Sequence, residues 1–233
     1  MHGITFDGKH SYRDFGIMMA PGKEIGIPEK KKIKVAVPFS NEEYDFSELY
    51  GSQAYDPRPL TYLFNIWDTT KDRMSIKKTK IVNWLMSGSG KKRLYDDAIP
   101  GYYFLAEVEG QSFAEDWQTG VLTANFTAYP FMISELKEGH DIWDKINFEL
   151  DVLQPVEFNV NGTLEVTLYN VGKPSLTPKI TASNSMTLRI GNRTFNVPSG
   201  ESQSRDFVLN PGENDLVIEG NGSISFEFYK ELI

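Results

Sequence analysis

Hydrophobic and polar residues alternate with a period of two along much of this chain, and that period predicts strands. Leu60, Tyr62, Phe64 and Ile66 fall on one face of a strand from Leu60 to Trp67. Leu122, Ala124, Phe126 and Ala128 share a face of another, from Val121 to Tyr129. Lys32 to Val37 sets Ile33, Val35 and Val37 against Lys32, Lys34 and Ala36, the pattern of a half-buried strand. Further strands are expected at Arg93 to Tyr95 and Tyr102 to Val108. At the start, Ile4 to Phe6 and Lys9 to Tyr12 flank Asp7-Gly8, a pair that supplies the positive φ angles of a two-residue turn, so the chain opens on a tight hairpin. Pro38 to Pro59 combines polar residues, aromatics and the breaker Asp56-Pro57-Arg58-Pro59, and reads as a long loop or projecting arm.

One segment changes to a helical period. Thr69 or Thr70 can cap it, Asp72 lies in its first turn, and Met74, Lys77 or Lys78, Ile81, Trp84 and Leu85 form a stripe ending before Gly88-Ser89-Gly90. Its exposed side is basic. After Phe131 the composition shifts. Ser134 to Asp151 mixes charge with Ile142, Trp143, Ile146 and Phe148, and is compatible with a linker, a short helix or a strand. From Phe158 onward, turn signals recur at Asn161-Gly162, Val171-Gly172-Lys173-Pro174, Gly191-Asn192, Pro198-Ser199-Gly200 and Asn210-Pro211-Gly212. Short strands between such turns, without a helical period, predict a β-sandwich or jelly roll. Leu164-Val166-Leu168, Leu188-Ile190, Phe207-Leu209, Leu216-Ile218 and Ile224-Phe226-Phe228 would supply its inner faces. The expected class is mainly β with one main α-helix, divided into residues 1–131, a linker segment 132–155, and residues 156–233.

Composition narrows the function classes. At 233 residues the chain can bury a sizeable core, and 40% hydrophobic with 24% charged residues is a globular balance. No apolar run approaches a membrane-spanning length, and Met1-His2-Gly3 lacks the basic and apolar regions of a signal peptide, so neither membrane insertion nor export is expected. Without cysteine there is no disulfide, thiolate metal site or thiol nucleophile. The three histidines, His2, His10 and His140, lack metal-site spacing. Residues 1–131 hold 16 Lys and Arg against 17 Asp and Glu, net −1, and residues 132–233 hold 8 against 15, net −7. The acidic second part is unsuited to binding phosphate backbones. Lys30-Lys31-Lys32 and Lys91-Lys92-Arg93 abut strand patterns and read as solvated edges or turns.

Catalytic constellations are weak. Glu42-Glu43 and Asp96-Asp97 are adjacent pairs, and neighbours on an extended segment point to opposite faces, whereas glycoside hydrolysis needs two carboxyls facing one bond. There is no Gly-x-Ser-x-Gly elbow. Ser87-Gly88-Ser89-Gly90-Lys91-Lys92 is superficially like a phosphate loop but follows a helix instead of preceding one, and reads as a helix C-cap turn. The Asn-x-Ser/Thr triplets at Asn125, Asn161, Asn192 and Asn221 read as turn chemistry, with Asn125 inside an expected strand. No catalytic, cofactor-binding or metal-binding residue is nominated.

The order of several motifs is more informative than any one of them. Ile4 to Tyr12 with Phe15-Gly16-Ile17, Pro28 to Val37, Arg58-Pro59-Leu60-Thr61-Tyr62-Leu63-Phe64, the helix, Tyr102-Tyr103-Phe104-Leu105-Ala106 and Phe126 to Phe131 together resemble the N-terminal domain of the distal tail (Dit) proteins of long-tailed, siphovirus-type bacteriophages and prophages. Asn170-Val171-Gly172, Pro178-Lys179-Ile180, Leu188-Arg189-Ile190, Asn210-Pro211-Gly212-Glu213-Asn214-Asp215-Leu216 and Ser223 to Tyr229 resemble that family's galectin-like C-terminal sandwich. The resemblance implies a β-sandwich or barrel-like first domain, packed on a helix, that forms a ring, and a second, galectin-like β-sandwich on the rim.

The same resemblance implies a structural virion protein of the baseplate hub. A homohexamer ring would join the tail tube to the tip and its host-recognition apparatus, with no specific nucleic acid and no membrane. The implied partners are copies of itself, the tail tube protein, a tail-associated hub or lysin protein, and a receptor-binding protein. The implied place is the virion tail tip, after assembly in the cytoplasm of the bacterial host. Larger relatives insert carbohydrate-binding modules for which this chain has no room. Closed rings use heterologous contacts that can satisfy free strand edges. The expected arm is the Ile33 to Phe46 region, with Ile33, Val35, Val37, Phe39, Tyr44 and Phe46 as interface residues, since Phe39, Tyr44 and Phe46 sit among polar residues. The alternative is a carbohydrate-binding β-sandwich for cell-wall attachment, which would place exposed aromatics on the second sandwich. A hydrolase would instead show a cleft with paired carboxyls, one with a raised pKa.

Overall fold

The computed structural model describes residues 2–47, 53–115, 119–140, 142, 150 and 152–233. It is mainly β with one long helix, as the sequence pattern predicts. Two compact units are present, Met1–Ile133 and Ser134–Leu232.

The first unit opens with β1 (Ile4–Phe6) and β2 (Lys9–His10), joined by Asp7 and Gly8, both at positive φ, as the turn chemistry requires. Ser11 and Tyr12, expected to extend β2, instead begin a short helix, α1 (Ser11–Phe15). The cause is His10, whose Nδ1 accepts from the N–H groups of Tyr12 and Arg13 and so caps the helix. The chain continues through β3 (Met18–Met19), β4 (Glu24–Ile25), β5 (Lys34–Ala36), β6 (Glu43–Asp45) and β7 (Arg58–Trp67) to the main helix α2 (Lys71–Leu85). Then follow β8 (Lys92–Asp96), β9 (Tyr102–Glu115), β10 (Thr119–Ala128) and β11 (Met132–Ser134).

The main sheet runs β2-β1-β8-β9-β10-β7-β3, with β4 also on β7. Leu122 pairs with Phe64, Ala124 with Tyr62 and Phe126 with Leu60, so the inward rows of β7 and β10 coincide and every residue in them is buried. Helix α2 covers this core. The Thr70 hydroxyl caps it, and Met74, Ile81, Trp84 and Leu85 are its buried stripe. Trp84 donates its indole N–H to the carbonyl of Phe6 at 2.8 Å and stacks on Phe15 at 4.5 Å, which ties α2 to β1 and α1. Beyond the helix, Lys92 binds the Ser87 carbonyl and the Asp7 carboxylate, so the glycine-rich stretch ends a helix and secures the first hairpin.

In the second unit, β12 (Glu157–Asn170) precedes β13 (Lys179–Ala182), β14 (Met186–Ile190), β15 (Arg193–Val197), β16 (Gly200–Ser202) and β17 (Gly212–Glu227). Asn161-Gly162 is not a turn. It lies inside β12, which pairs with β17 from Glu157↔Ser225 to Asn170↔Gly212 without a register shift. On its other edge, β17 pairs first with β14 and then, past Gly220 and Gly222, with β13. One long strand thus serves both the β14–β15 and β13–β16 pairs. Gly191-Asn192 does make the expected tight turn, between β14 and β15. The Asn210 to Leu216 stretch is organised by buried Asn214, which donates to the carbonyls of Asn210 and Gly212 and accepts from the Asn210 N–H. Of the segment from Ser134 to Asp151, Asp141, residues 143–149 and Asp151 lie outside the described residues, including the apolar positions Trp143, Ile146 and Phe148.

Candidate functional site

Two features of the first unit merit chemical scrutiny: the Asp96-Asp97 pair and the β5–β6 hairpin. The two carboxylates point apart, as expected for neighbours at a strand end. Asp96 is buried and accepts from the Tyr62 hydroxyl at 3.1 Å and from Lys23 Nζ at 2.9 Å. That burial, with the Asp96 charge beside it, pushes the Tyr62 phenol far above its ordinary pKa. Asp97 accepts from the Gly3 N–H at 2.9 Å and contacts His10 Nε2 at 3.0 Å. Because His10 Nδ1 already accepts from two backbone N–H groups, Nε2 carries the proton and donates to Asp97. Both ring nitrogens are committed to structure, so the His10 imidazole has no lone pair free to act as a base. A cleft of about 510 Å³ beside it is lined by His2, Arg13, Tyr95, Asp96, Asp97 and residues 99–102. Among the described residues, no group of three or more His, Asp or Glu could hold a metal ion.

The hairpin has a different character. Within the expected arm, β5 pairs with β6 through Lys34↔Asp45, Val35↔Tyr44 and Ala36↔Glu43. The second strand falls within Pro38 to Pro59, the stretch expected to be a long loop or projecting arm. The expectation of a half-buried strand from Lys32 to Val37 does not hold: Lys34, Val35 and Ala36 are all exposed, because among the described residues the two-stranded ribbon has no third layer over either face. Cross-strand partners share a face. Ile33, Val35, Val37, Tyr44 and Phe46 therefore lie together on one side, with Ile33, Val35, Tyr44 and Phe46 between 40% and 61% exposed. The Tyr44 and Phe46 rings are 6.2 Å apart.

The opposite side is a ladder of charge, Lys34 to Glu43 at 2.9 Å and Lys32 to Asp45 at 3.0 Å. Asp45 is held far below the ordinary carboxylate range by the hydroxyl and N–H of Ser47 and then by Lys32, while Glu43 raises Lys34. Phe39 stands apart at the tip, fully exposed and at a φ of +64°. All six residues expected at an interface thus belong to one ribbon, five on its apolar side and one at its end. An exposed apolar ribbon has little stability alone and is suited to burial against another surface.

No family model and no curated protein matches the sequence. Among solved structures, the Dit protein (gp 19.1) of phage SPP1 matches with a TM-score of 0.62 over 100% of both chains, at 10% sequence identity. The chain has the Dit fold. The resemblance read from ordered motifs is borne out at that level. The SPP1 protein is described as a paradigm of the hub adsorption apparatus in phages that infect Gram-positive bacteria. Within the second unit of the present chain, the exposed aromatic side chains among the described residues are Tyr169 and Tyr229, and the Tyr169 hydroxyl is bound to Glu213.

Proposed function

We propose that this chain is a structural component of a phage tail and contributes shape and self-association instead of chemistry. The observation that carries this reading is the end-to-end match to the SPP1 Dit fold. In this reading, residues 1–131 of six copies close a ring between tail tube and tail tip, and residues 156–233 stand on its rim. The ring contacts the tail tube protein above and a hub or lysin protein and receptor-binding protein below, in a virion assembled in the host cytoplasm. The apolar side of the β5–β6 ribbon supports the self-association step, since it is exposed among the described residues and so offers a ready interface.

Native mass spectrometry and negative-stain microscopy of the purified protein, alone and with its tail tube partner, test the reading. Rings with an axial opening are expected. A monomer under both conditions would overturn it. The double substitution Val35→Ser with Tyr44→Ser, placed on exposed positions, should leave the fold intact and shift the mass distribution to monomer. Rings of unchanged mass in that variant would remove the ribbon from the interface.

A further inference from the structure

Beside the carboxylates at the end of β8, three separate parts of the first unit meet in the cleft of about 510 Å³, a size that admits a small ligand. His2 comes from ahead of β1 and Arg13 from α1, while Tyr95, Asp97 and Tyr102 come from β8, its following turn and the start of β9. Some of the polar groups here are already spent on the fold. Asp96 accepts from Tyr62, Lys23 and the Ala98 N–H, and Asp97 Oδ2 accepts from Gly3 and His10. What is left unspent is complementary in kind. Among the described residues, Asp97 Oδ1 accepts no hydrogen bond, and neither the exposed Arg13 guanidinium nor the Tyr95 hydroxyl makes one. The free acceptor is held rigid because its twin oxygen is fixed by two donors. Tyr95 is half-buried and braced against Tyr103, with ring centroids 5.6 Å apart.

Charge decides the class of ligand. The Arg13 cation is matched by Asp97 and the Lys23 cation by Asp96, so the cleft has no excess positive charge to draw in a phosphate, and an anion bound to Arg13 would face Asp97. A neutral molecule carrying several hydroxyls suits these groups. One hydroxyl donates to the carboxylate, a neighbouring oxygen accepts from the guanidinium, and the apolar face of a pyranose ring lies on a tyrosine. We infer that this cleft binds one sugar unit of a neutral saccharide, with Asp97 and Arg13 gripping adjacent hydroxyls and Tyr95 beneath the ring. The inference goes beyond the structural role proposed above, and it places saccharide recognition on the first unit instead of the second sandwich.

Saturation-transfer NMR on the intact chain reads weak binding of this kind whatever the oligomeric state. With methyl α-glucopyranoside, methyl β-galactopyranoside, methyl α-rhamnopyranoside and N-acetylglucosamine as probes, at least one should receive saturation at its ring protons. Arg13→Ala removes a charge-assisted hydrogen bond from an exposed position, so the dissociation constant of that probe should rise about tenfold or more. Lys80→Ala, on the exposed side of α2 and outside the cleft, should leave it unchanged. Circular dichroism of each variant checks that the fold is kept. Inorganic phosphate should not compete with the sugar. Displacement of the sugar by phosphate would make the cleft an anion site and overturn the inference. Absence of transfer to all of the probes would overturn it as well, and so would equal affinity in the Arg13→Ala protein, which would put the sugar elsewhere on the molecule.

Discussion

Asp97 fastens the chain's first residues to the end of β8 through the Gly3 N–H and His10, and those bonds set a pH dependence. Partial burial pushes its pKa up, but the hydrogen bonds from His10 and Gly3 outweigh that and leave it below the ordinary 3.8. A carboxyl depressed in the folded state adds stability above its unfolded pKa and loses it as pH falls through the folded value. Urea midpoints of the wild type should therefore decline as the pH drops below 3.8. Asp97→Asn should be less stable at neutral pH and show a shallower acid decline, with Asp7 and Asp45, both also depressed, supplying the remainder. Equal slopes in the two proteins would refute this role. None of this was legible in the sequence. A histidine cap lies outside the usual Ser, Thr, Asp and Asn set, so α1 had no start signal. Buried Arg58 is a similar case, since its place two residues before Leu60 puts a guanidinium on an apolar face, over the Phe104 ring at 5.4 Å.

At the scale of elements, periodicity identified β7, β10 and α2 because each buries one complete face against the same core, and a half-buried element carries its environment in its own pattern. The same period in Lys32 to Val37 misled about burial, because alternation reports that two faces differ and not that anything covers one of them. That difference is why the sequence could group the apolar side of the ribbon without showing whether anything lies against it. Asn161-Gly162 failed as a turn for a related reason. Glycine at positive φ serves a tight turn and a special point within a long ribbon equally well. In β17, Gly222 has a φ of +132°, and a Cβ there would collide with Ser183 Oγ. Gly222→Ala should thus destabilise the second unit by about 3 kcal/mol, combining backbone strain with overpacking. Chemical denaturation followed by far-UV circular dichroism measures it, and a change below about 0.5 kcal/mol, the range of ordinary surface substitutions, would show that the ribbon tolerates a side chain at this point.

For the whole molecule, the signals along the sequence change in kind after Phe131, from strands around one helix to closely spaced turns with no helical period. The structure gives each part its own core. One is built on Leu60, Tyr62, Phe64, Phe104, Phe126 and Trp84, the other on Leu188, Leu216, Ile218, Ile224, Phe207 and Phe226, and no residue belongs to both. Cooperative unfolding follows shared burial, so separate cores need not melt together. Scanning calorimetry should then resolve two transitions, and Gly222→Ala provides the means of assigning them. It should lower the midpoint of one and leave the other in place, whereas Asp97→Asn should do the reverse. If either substitution moved a single shared transition, the two cores would be one cooperative body, and the independent folding of the two units would fail with it.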